Sequence, residues 1–525
     1  MKKENILKGS NIVLLTLIFT FFLVFASVFV FNDFAQAEKN ILKIAGASHL
    51  AAFDPQLETT SLSMVMHIYE TLVVFTDENF SKIEPVLADR WETTPDGLEW
   101  TFYLKKGIKF SDGSPFNAEA VKFTLERIMD QKTASPNRAK VEAIDKVIVA
   151  DEYTVKIRTK QPYAPLLENL ATYHLSMLSP SATKKYSIKD YGMHPVGTGP
   201  YMLEKYDISG ETVLLRNPNY HGEPGNFERI SYRAVPEVAS RVMMLQTNEV
   251  DIVTGLVPEV VSQLKADKNV EVVIKPSTYM ISFANMIWKG KPYDNKLVRQ
   301  AMMYAVDREA IVKSLLMGYG TVADGPFAPG AQGYKKFGGY KYNPEKAKEL
   351  LRQAGYPDGF SMNVWATEKY MKARQVSEAV QGYLAEVGIK VKLNIAEWAT
   401  YVTEVYSNIG DRGLQMDGAS IPTAHWRIQR IWGTQQMPSP TQLPPNRSAY
   451  SNPKVDELLN EASKIFDLDK RIKLYQDAQA IIWEDAPYLW LFSQVQIIGV
   501  REGIKGYFFY GNEDFSMTHA YVETK

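Results

Sequence analysis

The stretch VSEAVQGYLAEVGIKVKLNI, residues 376–395, carries the pattern from which the fold is read. Val376, Val380, Tyr383, Leu384 and Val387 recur at helical spacing and share one face of a helix. Gly388 ends that helix, and Ile389, Val391, Leu393 and Ile395 then alternate as a half-buried strand requires. A helix feeding a strand in this way argues an α/β protein whose sheets are covered by helices.

The unit recurs outward along the chain. Asn343 and Pro344 start a helix that runs through Leu350, Leu351 and Ala354 to Gly355. Asn343 supplies a side-chain oxygen for orphan amides, Pro344 loses no needed donor at the first helical position, and Gly355 tolerates the left-handed exit. Leu297, Val298, Ala301, Met302 and Ala305 predict a helix after Asp294, and Asn117 caps one whose face is Val121, Leu125 and Ile128 and which ends before Pro136. Residues 41–46 read as a strand, residues 62–72 as a helix, and residues 100–104 as a strand after the turn Pro95-Asp96-Gly97. Residues 147–150 and 154–157 form a further β pair. Gly197 and Gly199 lie in a turn that enters a strand. They lack the Gly-Lys-Ser/Thr of a P-loop and the third glycine of a dinucleotide fingerprint, so they read as turn-makers. No repeat period is visible, which disfavours a solenoid.

The 525 residues are 45% hydrophobic and 23% charged, ordinary for a folded chain of several domains or two large lobes. With 59 Lys+Arg against 60 Asp+Glu, no basic field exists to hold nucleic acid. The absence of cysteine excludes disulfides, thiolate zinc sites, Cys nucleophiles and the lipid anchor of a lipoprotein. Lys2, Lys3 and Lys8 precede an apolar run at residues 12–31, and Ala35-Gln36-Ala37 offers a signal-peptidase site, so residues 1–37 read as a secretory signal cleaved after Ala37. The run is also long enough to span a bilayer, which keeps an uncleaved anchor as the alternative.

Catalytic templates fail. His49, His67, His174, His194, His221, His425 and His519 make no H-x-H or HExxH pair, and no nucleophile elbow, kinase signature or EF-hand loop is present. The chain is instead rich in rings, with nine Trp, 29 Tyr and 24 Phe, which suit the walls of a binding cleft as well as a core. No catalytic residue, metal site or cofactor is expected.

Residues 84–92 (EPVLADRWE), 96–104 (DGLEWTFYL) and 107–113 (GIKFSDG) resemble the family 5 extracellular solute-binding proteins, the dipeptide, oligopeptide and nickel-chelate receptors of ABC importers. The likeness continues through residues 197–201 (GTGPY), 216–220 (RNPNY), 298–301 (VRQA), 305–308 (AVDR) and 347–355. It implies a two-lobed clamshell of the large type II class. Lobe I would combine residues 38–80, 196–273 and 490–525 with an extra subdomain at 81–195, and lobe II would be residues 274–489. The chain would cross between lobes at residues 270–277 and 488–496. The implied function is capture of a small peptide-like or carboxylate-bearing solute for a membrane permease, by an exported, periplasmic, monomeric protein that breaks no bond. A nickel-chelate receptor, or a membrane-anchored sensory or chaperone clamshell, is the alternative.

Peptide-binding relatives anchor the ligand amine with an aspartate in a stretch that corresponds to residues 416–426 (MDGASIPTAHW), where that aspartate is missing and Asp417 reads as a strand-end residue. Simple peptides are therefore disfavoured, since a buried ammonium would lack its counter-charge. Arg138 is expected to grip a carboxylate through its planar fork, or, with His425, to lie near a chelated metal. The other expected lining residues are Tyr279, Phe283 and Asn285 after the first crossing, Trp398 and Tyr401 after the 389–395 strand, and His425 with Trp426. Core packing is the competing role for each.

Overall fold

Two long apolar strands, Val270–Asn285 and Tyr488–Arg501, pair antiparallel and organise the molecule. The computed structural model describes residues 40–48, 52–58, 62–207, 210–285, 287, 289–406, 413–436 and 446–523. The expected leader with its cleavage site, and His49, lie outside them. Among the described residues no helix is long and apolar enough to cross a membrane.

Between Pro276 and Met280 the register of the long pair slips. Pro276 cannot donate to a ladder, so the pairing breaks where it sits. On one side residues 270–276 pair with 495–501, and on the other residues 280–284 pair with 488–493. The eleven-stranded sheet is thereby shared by two halves. One half adds the strands Leu414–Ala419, Phe360–Thr367 and Ile389–Ala396, with Gly320–Val322 pairing on Tyr488–Arg501. The other adds Ile252–Val253, Ile41–Gly46, Arg229–Ala234, Glu211–Arg216 and Tyr201–Lys205. A separate four-stranded antiparallel sheet of Ala88–Thr93, Glu99–Leu104, Thr154–Thr159 and Ile144–Asp151 packs on the helix Ala118–Met129.

Each body has its own core, and burying one aliphatic or aromatic side chain contributes about 1.5–3 kcal/mol. Val364, Val376, Val380, Leu384, Ile389, Met416, Trp432 and Trp490 belong to the largest cluster. Trp100, Phe102, Val121, Leu125, Ile128 and Ile157 fill the second. Leu42, Ile44, Tyr69, Leu214, Ile230, Ile498 and Val500 fill the third. The helix Ala373–Glu386 buries Val376, Val380 and Leu384 and leads into its strand, as the opening stretch requires. Asn343 accepts from Lys346 N at 2.9 Å, Pro344 opens the helix Pro344–Gln353, and Gly355 has φ +90°. Two motif arginines brace this half: Arg299 donates to the carbonyls of Tyr293, Asp294 and Asp485, and Arg308 to those of Ala323 and Tyr340.

Two local expectations change. The helix expected over residues 62–72 is confined to Val65–Ile68, because the next carbonyls serve tertiary partners: Ile68 O accepts from Gly199, Glu70 O from Met177 and Leu72 O from Ala88. Gly197 and Gly199 do not have positive φ. They are glycine because the Ile68 backbone lies against them, a Cβ on Gly199 falling 2.7 Å from His67 O.

Candidate functional site

The two halves meet along a second contact, remote in sequence from the long strand pair. Glu168, on the helix Leu166–Leu170 of the small subdomain, pairs with Arg471 on the helix Leu468–Asp485 of the other half, and their side chains are 4% and 6% exposed. Ala164 N donates to Ser463 O at 2.7 Å, and Gln332 Nε2 to Phe80 O at 2.8 Å. The Tyr163 ring meets the His425 ring edge-on at 5.5 Å. Burial holds the Glu168 carboxyl above the usual carboxylate range, outweighing the opposing pull of Arg471.

Beside this contact is a group of cations and rings contributed by both sides. Lys140 stands in the turn Arg138–Val141 of the subdomain, which Asn169 secures by donating to Lys140 O at 2.8 Å. Its ammonium lies 4.4 Å from the ring centre of Trp426, which belongs to the opposite half. Arg430, one helical turn beyond Trp426 on the helix Ala424–Trp432, places its guanidinium 5.7 Å from the same indole. Burial, reinforced by Arg430, pushes Lys140 down to about 7. Burial first, then Lys140 and Arg430, hold His174 well below its ordinary value, and its Nδ1 is buried without a hydrogen-bond partner. Burial also lowers Arg430, helped by Arg447 and opposed by Asp417.

The group continues across the strand Leu414–Ala419. Asp417 accepts from Tyr488 OH at 3.2 Å and faces Arg447 Nε at 3.5 Å. Lys369 lies 3.8 Å over the Trp398 ring, and Tyr370 links Trp398 to Tyr279 at ring distances of 6.4 and 6.2 Å. On the other side of Tyr279, Glu513 accepts from Ser277 Oγ and Gln494 Nε2, each at 2.8 Å. Aromatic walls, several cations and few acids at a boundary between two bodies suit an organic anion.

Residues 82–439 match the bacterial extracellular solute-binding proteins, family 5 Middle. The chain belongs to this family. The glutathione-binding protein GsiB of Salmonella choleraesuis (strain SC-B67) is 34% identical over 495 residues, covering 93% of this chain and 95% of its own. The periplasmic binding protein DppA from Helicobacter pylori, solved with the peptide STSA, superposes with TM-score 0.81 at 28% identity, over 93% of this chain and all 100% of its own. AgaA from A. tumefacien R10, solved with agropinic acid, gives 0.79 at 26% identity, over 92% and 99%. The fold is thus the two-lobed architecture of periplasmic binding proteins.

Within this solute-binding protein the residues read from the sequence fall into different places. Trp426 meets Lys140 of the opposite half, whereas Tyr279 and Trp398 are joined through the Tyr370 ring. Phe283 and Asn285 are fully buried inside lobe II, where Asn285 Nδ2 donates to Ala486 O at 3.1 Å. Tyr401 is buried beneath Trp398 and donates to Met416 O at 2.7 Å. His425 sits in the lobe contact, its Nδ1 hydrogen-bonded to Tyr475 OH at 3.0 Å, and burial pushes it down to about 3. Arg138 is exposed, while Lys140, two residues on, is 4% exposed. Lys140, His174, Arg430 and Arg447 were not singled out, because nothing local marks them: only pairing of the lobes makes them neighbours. Among the described residues no three His, Asp or Glu side chains gather as metal ligands.

Proposed function

We propose that the protein is the solute-capturing component of an ABC importer, closing its two lobes on a small carboxylate-bearing solute and presenting it to a membrane permease. The observation that carries this reading is the meeting of Lys140 from one lobe with Trp426 and Arg430 from the other, where among the described residues neither cation forms an ion pair with a carboxylate. A solute carboxylate there adds contacts that only the closed form offers, and so shifts the open–closed equilibrium. The relatives' ligands, glutathione, the peptide STSA and agropinic acid, support a peptide-like or amino-acid-derived solute. The engagement of His425 Nδ1 by Tyr475 favours this over the nickel-chelate reading.

The lining set on this reading is Lys140, His174, Tyr279, Trp398, Trp426 and Arg430. Export with cleavage after Ala37, action as a monomer and the absence of any covalent step complete it. Protein purified without refolding is expected to release a small molecule in native mass spectrometry, and to gain thermal stability on its return, as binding to the native state alone requires. Protein that carries nothing, and that no small-molecule extract stabilises, would overturn the reading.

A further inference from the structure

We infer that the captured solute carries more carboxylates than amines, with one anionic group seated between Lys140 and Arg430 at the Trp426 indole. This rests on the solute-receptor reading above and deepens it. The argument is a charge balance across the interlobe group. The side chains of Lys140 and Arg430 lie against the Trp426 ring and that of Lys369 against the Trp398 ring, and among the described residues none of the three forms an ion pair with a carboxylate. Lys140 is 4% exposed, so in the closed form bulk water screens it little. Asp417, the acid nearest to Arg430 and Lys369, is already engaged by Arg447 and Tyr488 OH.

On the lobe I side, Glu70 is committed to His221 at 3.0 Å, and Glu168 to Arg471. That leaves Glu513, held by two neutral donors beside Tyr279, as the acid available to a solute amine. Lys140, Lys369 and Arg430 therefore stand against Glu513, and a guest that restores neutrality must bring an excess of negative charge. Burial first, and like-charged neighbours second, depress the proton affinity of Lys140, His174 and Arg430. A zwitterion with one amine and one carboxylate would leave an excess of cations, costly where Lys140 is buried and Arg430 half-buried, although water screens the exposed Lys369.

The test uses the whole mature protein after removal of retained solute. A low-molecular-mass extract of rich bacterial medium is passed over a quaternary-amine resin at pH 8. There, compounds with more carboxylates than amines are retained and balanced zwitterions pass through. The expected result is a rise in melting temperature with the retained fraction and none with the flow-through. The amount of retained fraction for half-maximal stabilisation should rise tenfold or more in Lys140→Met and in Arg430→Met, with partial recovery in Arg430→Lys. Stabilisation by the flow-through alone would overturn the inference while leaving the receptor reading intact. Stabilisation by neither fraction would count against the receptor reading itself. The fraction test needs no variant, so misfolding of either methionine variant would not rescue the claim.

Discussion

Replacing Arg471 by Met tests whether the lobe contact belongs to closure or to the fold. In the closed form Glu168 and Arg471 bury one another almost completely. Removing one member of a buried pair costs about 3–5 kcal/mol, because the other is left charged and dry. Burial already raises the Glu168 carboxyl, so proton uptake relieves part of this and leaves roughly 2–3 kcal/mol. When the lobes part, both groups reach water, so the cost falls on closure and weakens solute binding by roughly 30- to 150-fold. Titration calorimetry with the solute isolated by the fractionation above measures it. In the double variant Glu168→Gln/Arg471→Met most of the loss should return, giving a coupling of about 2 kcal/mol. An affinity within twofold of the parent, or an equal fall in the melting temperature of solute-free and bound protein, would refute the reasoning.

Three further outcomes follow from single sites. His67 is fully buried, with Nδ1–H donating to Ser63 O at 2.6 Å and Nε2 accepting from Met517 N at 2.8 Å, and burial pushes it down to about 4. Its folded value lies below the unfolded one near 6.5, so the stability present above that pH is lost as pH falls towards 4, by about 3 kcal/mol. Urea unfolding across this window should show that slope in the parent and not in His67→Gln; parallel profiles would contradict it. Gly418→Ala places a Cβ 2.5 Å from the Tyr279 ring and 2.6 Å from the Tyr370 ring, so it should cost about 1–3 kcal/mol and weaken solute binding, read by melting and titration. Asn343→Ala removes the cap on Lys346 N and should lower the urea midpoint by the equivalent of about 1 kcal/mol, leaving solute affinity unchanged.

What could be read from the chain alone divides by range. The cap at Asn343, the positive-φ exit at Gly355, the hairpin turn at Gly97 and the helix-to-strand passage at Gly388 are local events, and their residues declare them. The crossing strands were visible as extended apolar segments, although the register slip after Pro276 needed the partner strand. Residues 62–72 misled because their helical periodicity is overridden by tertiary carbonyl bonding. The site was legible only in its rings. Trp426 was reached through residues 416–426, the stretch to which the family resemblance points. Lys140 looks like an ordinary surface charge until Trp426, nearly 300 positions away, covers it, and Arg430 becomes part of the site only because Lys140 meets the same ring. Arg138 drew notice for its planar fork, yet the short turn it opens directs it to solvent and Lys140 inward.

The hinge itself is tested most directly by small-angle scattering of the mature protein with and without its stabilising solute. Two lobes joined by the strands Val270–Asn285 and Tyr488–Arg501 should contract on binding, with a smaller radius of gyration and a shorter maximum dimension in the bound profile. Superimposable profiles at saturating solute would contradict closure as the means of capture.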